Sequence, residues 1–158
     1  MEEKLAISKD LIILSGIAGF IGTLFKIVYS GIPYLLNITQ DYGIIIAGRI
    51  IFHAKDFPLS WGHIILATLT HLLIGSVIGI GLGIVYYLSG KDFYLLKGGL
   101  FGLAIWFILR NTIVSMTTPG GPQEIDAITT AVSFTSHIFY GFISGYIITK
   151  YSHFVPST

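Results

Sequence analysis

Two stretches of this chain carry histidine and glycine at four-residue spacing. Each begins with a histidine, and the glycines that follow are Gly75, Gly79 and Gly83 after His71, and Gly141 and Gly145 after His137. On a helix, residues four apart lie along one stripe. Glycines at this spacing let two helix backbones approach closely in lipid, and a buried imidazole there needs a partner. The pattern predicts two helices that pack through glycine faces and carry histidines inside the structure.

Paired imidazoles with hydroxyl groups nearby could bind or relay a proton, an ion or a small polar solute. The candidate pathway residues are His71, His137, Thr68, Ser133 and Ser136. A purely structural role is the competing interpretation, in which each imidazole hydrogen-bonds a neighbouring helix and fixes its packing. A further alternative is haem b, with the two histidines as axial ligands and the glycines making room for the macrocycle. Without haem, no cofactor is expected.

The residue types argue against catalysis and against a protein metal centre. The chain has no cysteine, which excludes disulfides, thiolate metal sites and Fe–S clusters. Its acidic residues lie near the ends of the apolar stretches, so two histidines lack the third ligand of a catalytic zinc site. No buried carboxylate is placed to orient a histidine beside a serine, and no phosphate-binding loop follows a strand. We expect a protein that is not an enzyme.

The composition predicts an integral membrane protein. Hydrophobic residues make up 53% and charged residues 11% of the 158 residues, whereas about a quarter of a soluble domain is charged. The net charge of +1 and the absence of a Lys/Arg block exclude a nucleic-acid partner. A spanning helix needs about 20 apolar residues. Four stretches of this kind fill a single membrane domain, 1–158, at about 11–32, 61–88, 93–115 and 127–148.

The first predicted span has polar residues at both ends. Asp10 can cap a helix that begins at Leu11, and Pro33 ends it. Lys26 lies near the far end, where its long stem can extend outward to the water. The lysine is therefore expected at the membrane surface, and the alternative is a functional lysine within the membrane.

The segment 43–54 is apolar but too short to cross a membrane. Arg49, His53 and Asp56 recur at i, i+4 and i+7 and give it one polar edge. A helix of this kind lies in the membrane interface, or enters the membrane and returns. We expect an interfacial or re-entrant helix between the first and second spans.

Short connections set the expected arrangement. The turn 89–92 makes the third span return antiparallel beside the second, and Gly98 and Gly102 give the third span its own glycine face. The second and fourth spans then run in parallel, which puts His71 and His137 at comparable depth. Basic residues lean towards cytoplasmic termini, with five on the side of the termini and four on the other: Lys4, Lys9, Lys91, Lys97 and Lys150 against Lys26, Arg49, Lys55 and Arg110.

A resemblance to known families rests on two histidine–glycine elements, a glycine pair leading to a tryptophan, and a loop proline. These are His71-Leu-Leu-Ile-Gly75, His137-Ile-Phe-Tyr-Gly141, Gly98-Gly99-x-x-Gly102 with Trp106, and Pro119. With them, the segment 61–146 resembles small prokaryotic four-span conserved membrane proteins of unknown function. The resemblance implies four spans and no particular activity.

The sequence thus predicts an all-α integral membrane protein of the cell membrane, with four transmembrane helices packed through glycine-rich faces. We expect a non-enzymatic, oligomeric protein in which a seam lined by histidine and glycine handles a proton, an ion or a small polar solute. The first alternative is a structural or accessory subunit that packs against partner membrane proteins. The second alternative is a b-type haem membrane protein.

Overall fold

A computed structural model describes residues 2–40, 43–53, 60–110 and 126–153, with side chains from Asp10 onward. Across these ranges 88% of the residues are helical and none is in a strand. The five helices are α1 (Glu2–Leu35), α2 (Gly43–Phe52), α3 (Trp61–Ser89), α4 (Tyr94–Ile108) and α5 (Ala127–Tyr151). Three helical segments are long and apolar enough to cross a membrane: Asp10–Leu35 of α1, all of α3 and all of α5.

Helix α1 extends beyond the predicted span at both ends. It begins at Glu2, so Asp10 lies inside the helix and the prediction that it caps the helix is wrong. It also continues through Pro33 to Leu35. The helix continues past the proline. The next turn still closes, since the Leu36 amide donates to the Ile32 carbonyl at 3.1 Å. The chain then leaves the helix at Asn37, whose φ of 56° is left-handed.

Helix α2 lacks the polar edge expected from its sequence. It ends at Phe52, and His53 has a left-handed φ of 48°. His53 therefore does not continue the helical stripe begun by Arg49, and Asp56 lies outside the described residues. The apolar side of α2 decides its position instead, because Ile44 and its neighbours pack on Ala67 of α3 in one buried cluster.

Helix α4 differs most from the predicted span 93–115. It comprises 15 residues, a length of about 22 Å, which is less than the 30 Å hydrocarbon core of a bilayer. Residues 111–115 of the predicted span lie outside the described residues. Among the described helices, the length criterion therefore identifies three candidate spans, and α4 is classed as a shorter apolar helix.

Helices α1 and α3 are antiparallel and make close backbone contact. A methyl group built on Gly19 would lie 2.8 Å from Cα of Gly79, a distance that real side chains do not adopt. On either side of this point, Gly75 lies against Thr23 and Gly83 against Ser15. The stripe of α3 glycines found in the sequence thus faces α1.

Helices α4 and α5 make the equivalent contact. A methyl group on Gly141 would lie 2.6 Å from the Gly98 carbonyl carbon, and one on Gly102 would lie 2.9 Å from that of His137. Gly145 faces a side chain of α3, since its methyl group would lie 3.2 Å from Cζ of Tyr86. Each glycine face is thus filled from within the chain.

The prediction that α4 packs mainly against α3 is wrong. Helix α4 runs antiparallel to α3, as the short turn requires, but the helix that it packs against most extensively is α5. The physical reason lies in the glycine faces, because α3 presents its own to α1 and α4 presents its own to α5. The Gly90 turn, with φ of 77°, connects the two helices, and α3 contacts α4 near it, where the Tyr86 hydroxyl donates to the Tyr94 carbonyl at 2.6 Å.

The helices follow the spatial order α3, α1, α5, α4, with α2 covering part of α3. The Ser144 hydroxyl joins α5 to α1 by donating to the Ala18 carbonyl at 3.1 Å. In this arrangement α1 and α4 end at the same side of the bundle at which α3 and α5 begin. Polar groups from four helices therefore meet at that end.

We expect Gly79→Ala to destabilise the protein, since its new methyl group would lie 2.6 Å from Cα of Gly19. Overpacking of this kind costs about 1–3 kcal/mol. The matched control is Gly62→Ala on the same helix, where a methyl group meets no atom of the described residues within 4 Å. Thermal unfolding in detergent measures both, and equal midpoints for the two variants would contradict the prediction.

Candidate functional site

A cavity of about 290 Å³ lies at the end of the bundle where α3 and α5 begin. Its described lining includes α2 through Gly43, Ile46, Ala47 and Ile50. About half of the described lining residues are apolar, and four are basic: Lys26, His71, Arg110 and His137. None of the described residues that line it is acidic. The cavity therefore combines apolar walls with a cluster of basic side chains.

Lys26 is turned into this cavity. Its Nζ lies 2.8 Å from Nε2 of His137, so α1 and α5 are joined by a contact between two basic side chains. The prediction that Lys26 extends outward to the membrane surface is wrong. The residue is half-buried on the side of α1 that packs against α5, where Gly22 and Tyr140 are also in contact.

The protonation of His137 follows from its two neighbours. Its Nδ1 lies 2.7 Å from the Ser133 carbonyl oxygen, which only accepts, so Nδ1 carries a hydrogen. Its Nε2 faces the Lys26 amine, and one hydrogen fills the space between the two nitrogens. Either an ammonium or a neutral amine donates to a neutral imidazole, or an imidazolium donates to a neutral amine. The pair therefore holds at most one positive charge, because two cations 2.8 Å apart would repel strongly.

His71 lies at the same cavity on the opposite helix. Its Nε2 is buried and has no hydrogen-bond partner among the described residues. The imidazole rests on the first residue of α2, since a methyl group on Gly43 would lie 2.6 Å from both Cε1 and Nε2. A buried polar atom without a partner costs free energy, so this nitrogen marks a place where a ligand or a water gains a hydrogen bond.

Four of the hydroxyl groups around the cavity already donate their hydrogens to backbone carbonyls. Tyr140 donates to Gly75 at 2.7 Å, and the other donor–acceptor pairs are Thr23 to Gly19, Ser30 to Lys26, and Ser136 to Ser133. The indole N–H of Trp106 donates to the Ser133 hydroxyl oxygen at 3.1 Å. The nitrogens of Lys26 and His71 are therefore the better placed donors for a bound molecule.

A capped helix start lies beside the cavity. The Asp126 carboxylate accepts hydrogen bonds from the hydroxyl and the amide of Thr129, at 2.6 and 2.8 Å. Both bonds hold the pKa of the Asp126 carboxyl below its usual range, and the bond from the hydroxyl has the larger effect. The Thr129 hydroxyl oxygen also accepts a hydrogen bond from the backbone amide of Gln40 at 2.9 Å. This bond connects the start of α5 to the segment before α2.

The structure brings most of the predicted pathway residues together. His71, Ser133, Ser136 and His137 all line the cavity, whereas Thr68 is absent from its described lining and donates to the Ile64 carbonyl. Sequence reasoning missed a group of lining residues, namely Lys26, Trp106, Arg110 and Tyr140. One signal was available, because Tyr140 follows His137 by three residues and so shares its helix face.

The same geometry bears on the haem alternative. Nε2 of His137 is engaged by Lys26, and Nε2 of His71 rests against Gly43. The two nitrogens are therefore not presented to a common iron, and the residues as placed do not fit bis-histidine ligation. Among the described residues no three histidine or acidic side chains are grouped to hold a metal ion.

We expect opposite effects from removing either member of the Lys26–His137 pair. Lys26→Met removes a buried charge and should keep or raise the thermal midpoint. His137→Leu leaves the buried ammonium without its acceptor and should cost about 3 kcal/mol. The double variant should recover most of this loss. Thermal unfolding in detergent tests the series, and a double variant as unstable as His137→Leu would contradict it.

Comparisons with known proteins leave the question of function to this geometry. Neither protein-family models, nor curated proteins, nor solved structures give a match to the chain. The resemblance to small prokaryotic four-span families stays a prediction from the sequence.

Proposed function

We propose that the chain crosses the membrane four times, with α2 as a re-entrant helix. Gly43 lies beside His71 of α3, and the Phe52 ring lies 4.6 Å from that of His63. The eight residues between these two histidines correspond to about 12 Å of helix. If α3 spans the bilayer, α2 runs inside the membrane along its first half. The chain then enters and leaves on the same side.

Helix α4 supplies the fourth span in this proposal. It follows α5 from the Tyr94–Tyr146 ring contact, at 6.5 Å, to the Trp106–Ser133 hydrogen bond. The 13 residues of α5 between these points correspond to about 20 Å of depth. Outward-facing apolar side chains such as Leu73 and Val77, each 67% exposed, are suited to lipid. Four spans place both termini on one side, which the basic residues favour as the cytoplasm.

The function supported best is non-enzymatic handling of a proton, an ion or a small polar solute in this cavity. The observation that carries the proposal is the contact of Lys26 Nζ with His137 Nε2 inside an apolar bundle. Ionisable residues within a membrane domain are costly and typically mark a pathway. The pair shares one proton between two bases, so it exchanges protons when the cavity is open to water. His71, Arg110 and Tyr140 are the other titratable groups on the described lining, and α2 contributes none there.

The accessory-subunit alternative has less support. It relied on glycine faces that would receive a partner protein, and these faces are filled within the chain. Gly79, for instance, lies on Gly19, and Gly141 lies on Gly98. Residues of all five described helices line the cavity, and the proposal takes the single bundle as the functional unit.

The topology is tested by single cysteines, since the chain has none of its own. We expect Gln40→Cys, Ser60→Cys and Ala127→Cys, all at exposed positions, to react with a membrane-impermeant maleimide from one side of the membrane. Asp92→Cys, also exposed, should react from the other. Labelling of Gln40→Cys and Ser60→Cys from opposite sides would show that α2 crosses the membrane. Labelling of Asp92→Cys and Ala127→Cys from the same side would show that α4 does not cross it.

The function is tested by proton flux into liposomes that contain the purified protein and a trapped pH-sensitive dye. We expect Lys26→Met to slow the flux by about a hundredfold, the lower end of what a positioned proton-transfer group contributes. Lys150→Met is the matched control, because this lysine is exposed at the far end of α5. Thermal unfolding checks that both variants are folded. Equal flux through the two folded variants would contradict the proposal.

A further inference from the structure

We infer that the cavity binds a small organic anion, a monocarboxylate with a short apolar body, through Lys26 and His71. The inference deepens the proposed function and rests on it for the view that the cavity is reached by solutes. It assigns the class of ligand, which the sequence left open between a proton, an ion and a polar solute.

The first argument is charge. The Lys26–His137 pair holds at most one positive charge, and when it is charged its hydrogen bond is to an imidazole and not to a carboxylate. The described lining adds a second histidine and no acid. A buried positive charge without an opposite charge is costly. A bound anion supplies that opposite charge, whereas a bound cation would add to the repulsion.

The second argument is the supply of hydrogen-bond donors. The lysine ammonium has three N–H groups, and the contact with His137 uses one. Nε2 of His71 is buried and has no partner among the described residues. Neighbouring hydroxyl groups donate to backbone carbonyls, as the Tyr140 hydroxyl does to the Gly75 carbonyl. A carboxylate has two acceptor oxygens, so it matches a site with the lysine donor on α1 and, in the tautomer that carries hydrogen on Nε2, the His71 donor on α3.

The third argument is size and polarity. A volume of about 290 Å³ holds about ten water-sized groups, since a water occupies about 30 Å³. A lone halide would leave most of this space empty. The walls away from the basic residues are aliphatic, with Ile46 and Ile50 from α2, Ile74 and Ile78 from α3, and Ile105 from α4. An acid with a short hydrocarbon body satisfies both the charged and the apolar parts of the site.

The cavity contains its own reporter. Trp106 lines it, and the only other tryptophan, Trp61, is exposed at the start of α3. In a Trp61→Phe background, the emission of Trp106 is followed while detergent-purified protein is titrated with butyrate. Butyramide, of the same shape without charge, and chloride are titrated in parallel. We expect a saturable change with butyrate and none with the other two.

Lys26→Met in the same background should weaken butyrate binding by about tenfold or more, because a hydrogen bond to a charged group is lost. Lys150→Met should bind like the parent. His71→Phe is the second variant, and weaker binding by this folded protein assigns the second donor. Equal responses to butyrate and butyramide, a response to chloride of the same size, or unchanged binding by Lys26→Met would each overturn the inference.

The failure of this inference is separable from failure of the proposed function. Proton flux is measured on the same Trp61→Phe preparation after reconstitution. Flux that depends on Lys26, without saturable butyrate binding, overturns the carboxylate site and leaves the proton pathway standing. Butyrate binding that depends on Lys26, without flux, supports the site and overturns the transport role.

Discussion

The candidate site depends on one lysine that lies between helices that are otherwise largely apolar. The ammonium of Lys26 is accommodated because His137 offers a ring nitrogen at 2.8 Å, and because the other nitrogen of that ring is fixed by the Ser133 carbonyl. An amine and an imidazole share a hydrogen instead of neutralising each other's charge. When the pair is protonated, no acid on the described lining compensates its charge, and this is the physical basis of the proposed ligand binding.

Glycine contacts place this pair where it meets. Helix α1 approaches α3 at Gly19 and Gly79 so closely that no side chain fits, and α5 approaches α4 in the same way at Gly141 and Gly98. In lipid there is little hydrophobic gain from helix association, so close backbone packing and interhelical hydrogen bonds have to hold the bundle. The bond from the Tyr140 hydroxyl to the Gly75 carbonyl, at 2.7 Å, joins α5 to α3 across the cavity.

Helix α2 gives the cavity its outer wall. Ten residues are too few to cross a bilayer, but they are enough to cover the first half of α3 from Phe52 beside His63 to Gly43 beside His71. A methyl group at that last contact would overlap the imidazole as it is placed. A short helix at this position closes the site on one side. In the proposed topology the chain enters and leaves at one membrane surface, and α2 is the element nearest to an entrance.

The sequence by itself determined the helical class, the long apolar segments and the shared depth of His71 and His137, because composition, hydropathy and four-residue spacing act along one chain. Four of the five predicted pathway residues meet at one cavity for the same reason. The tertiary structure alone decided that Lys26 points inward, that α4 packs on α5 and that α2 lacks its polar edge. Each of these depends on which face of one helix meets which face of another. A hydropathy pattern shows that a lysine lies near a helix end, but only the position of a second helix decides whether its charge reaches water or an imidazole.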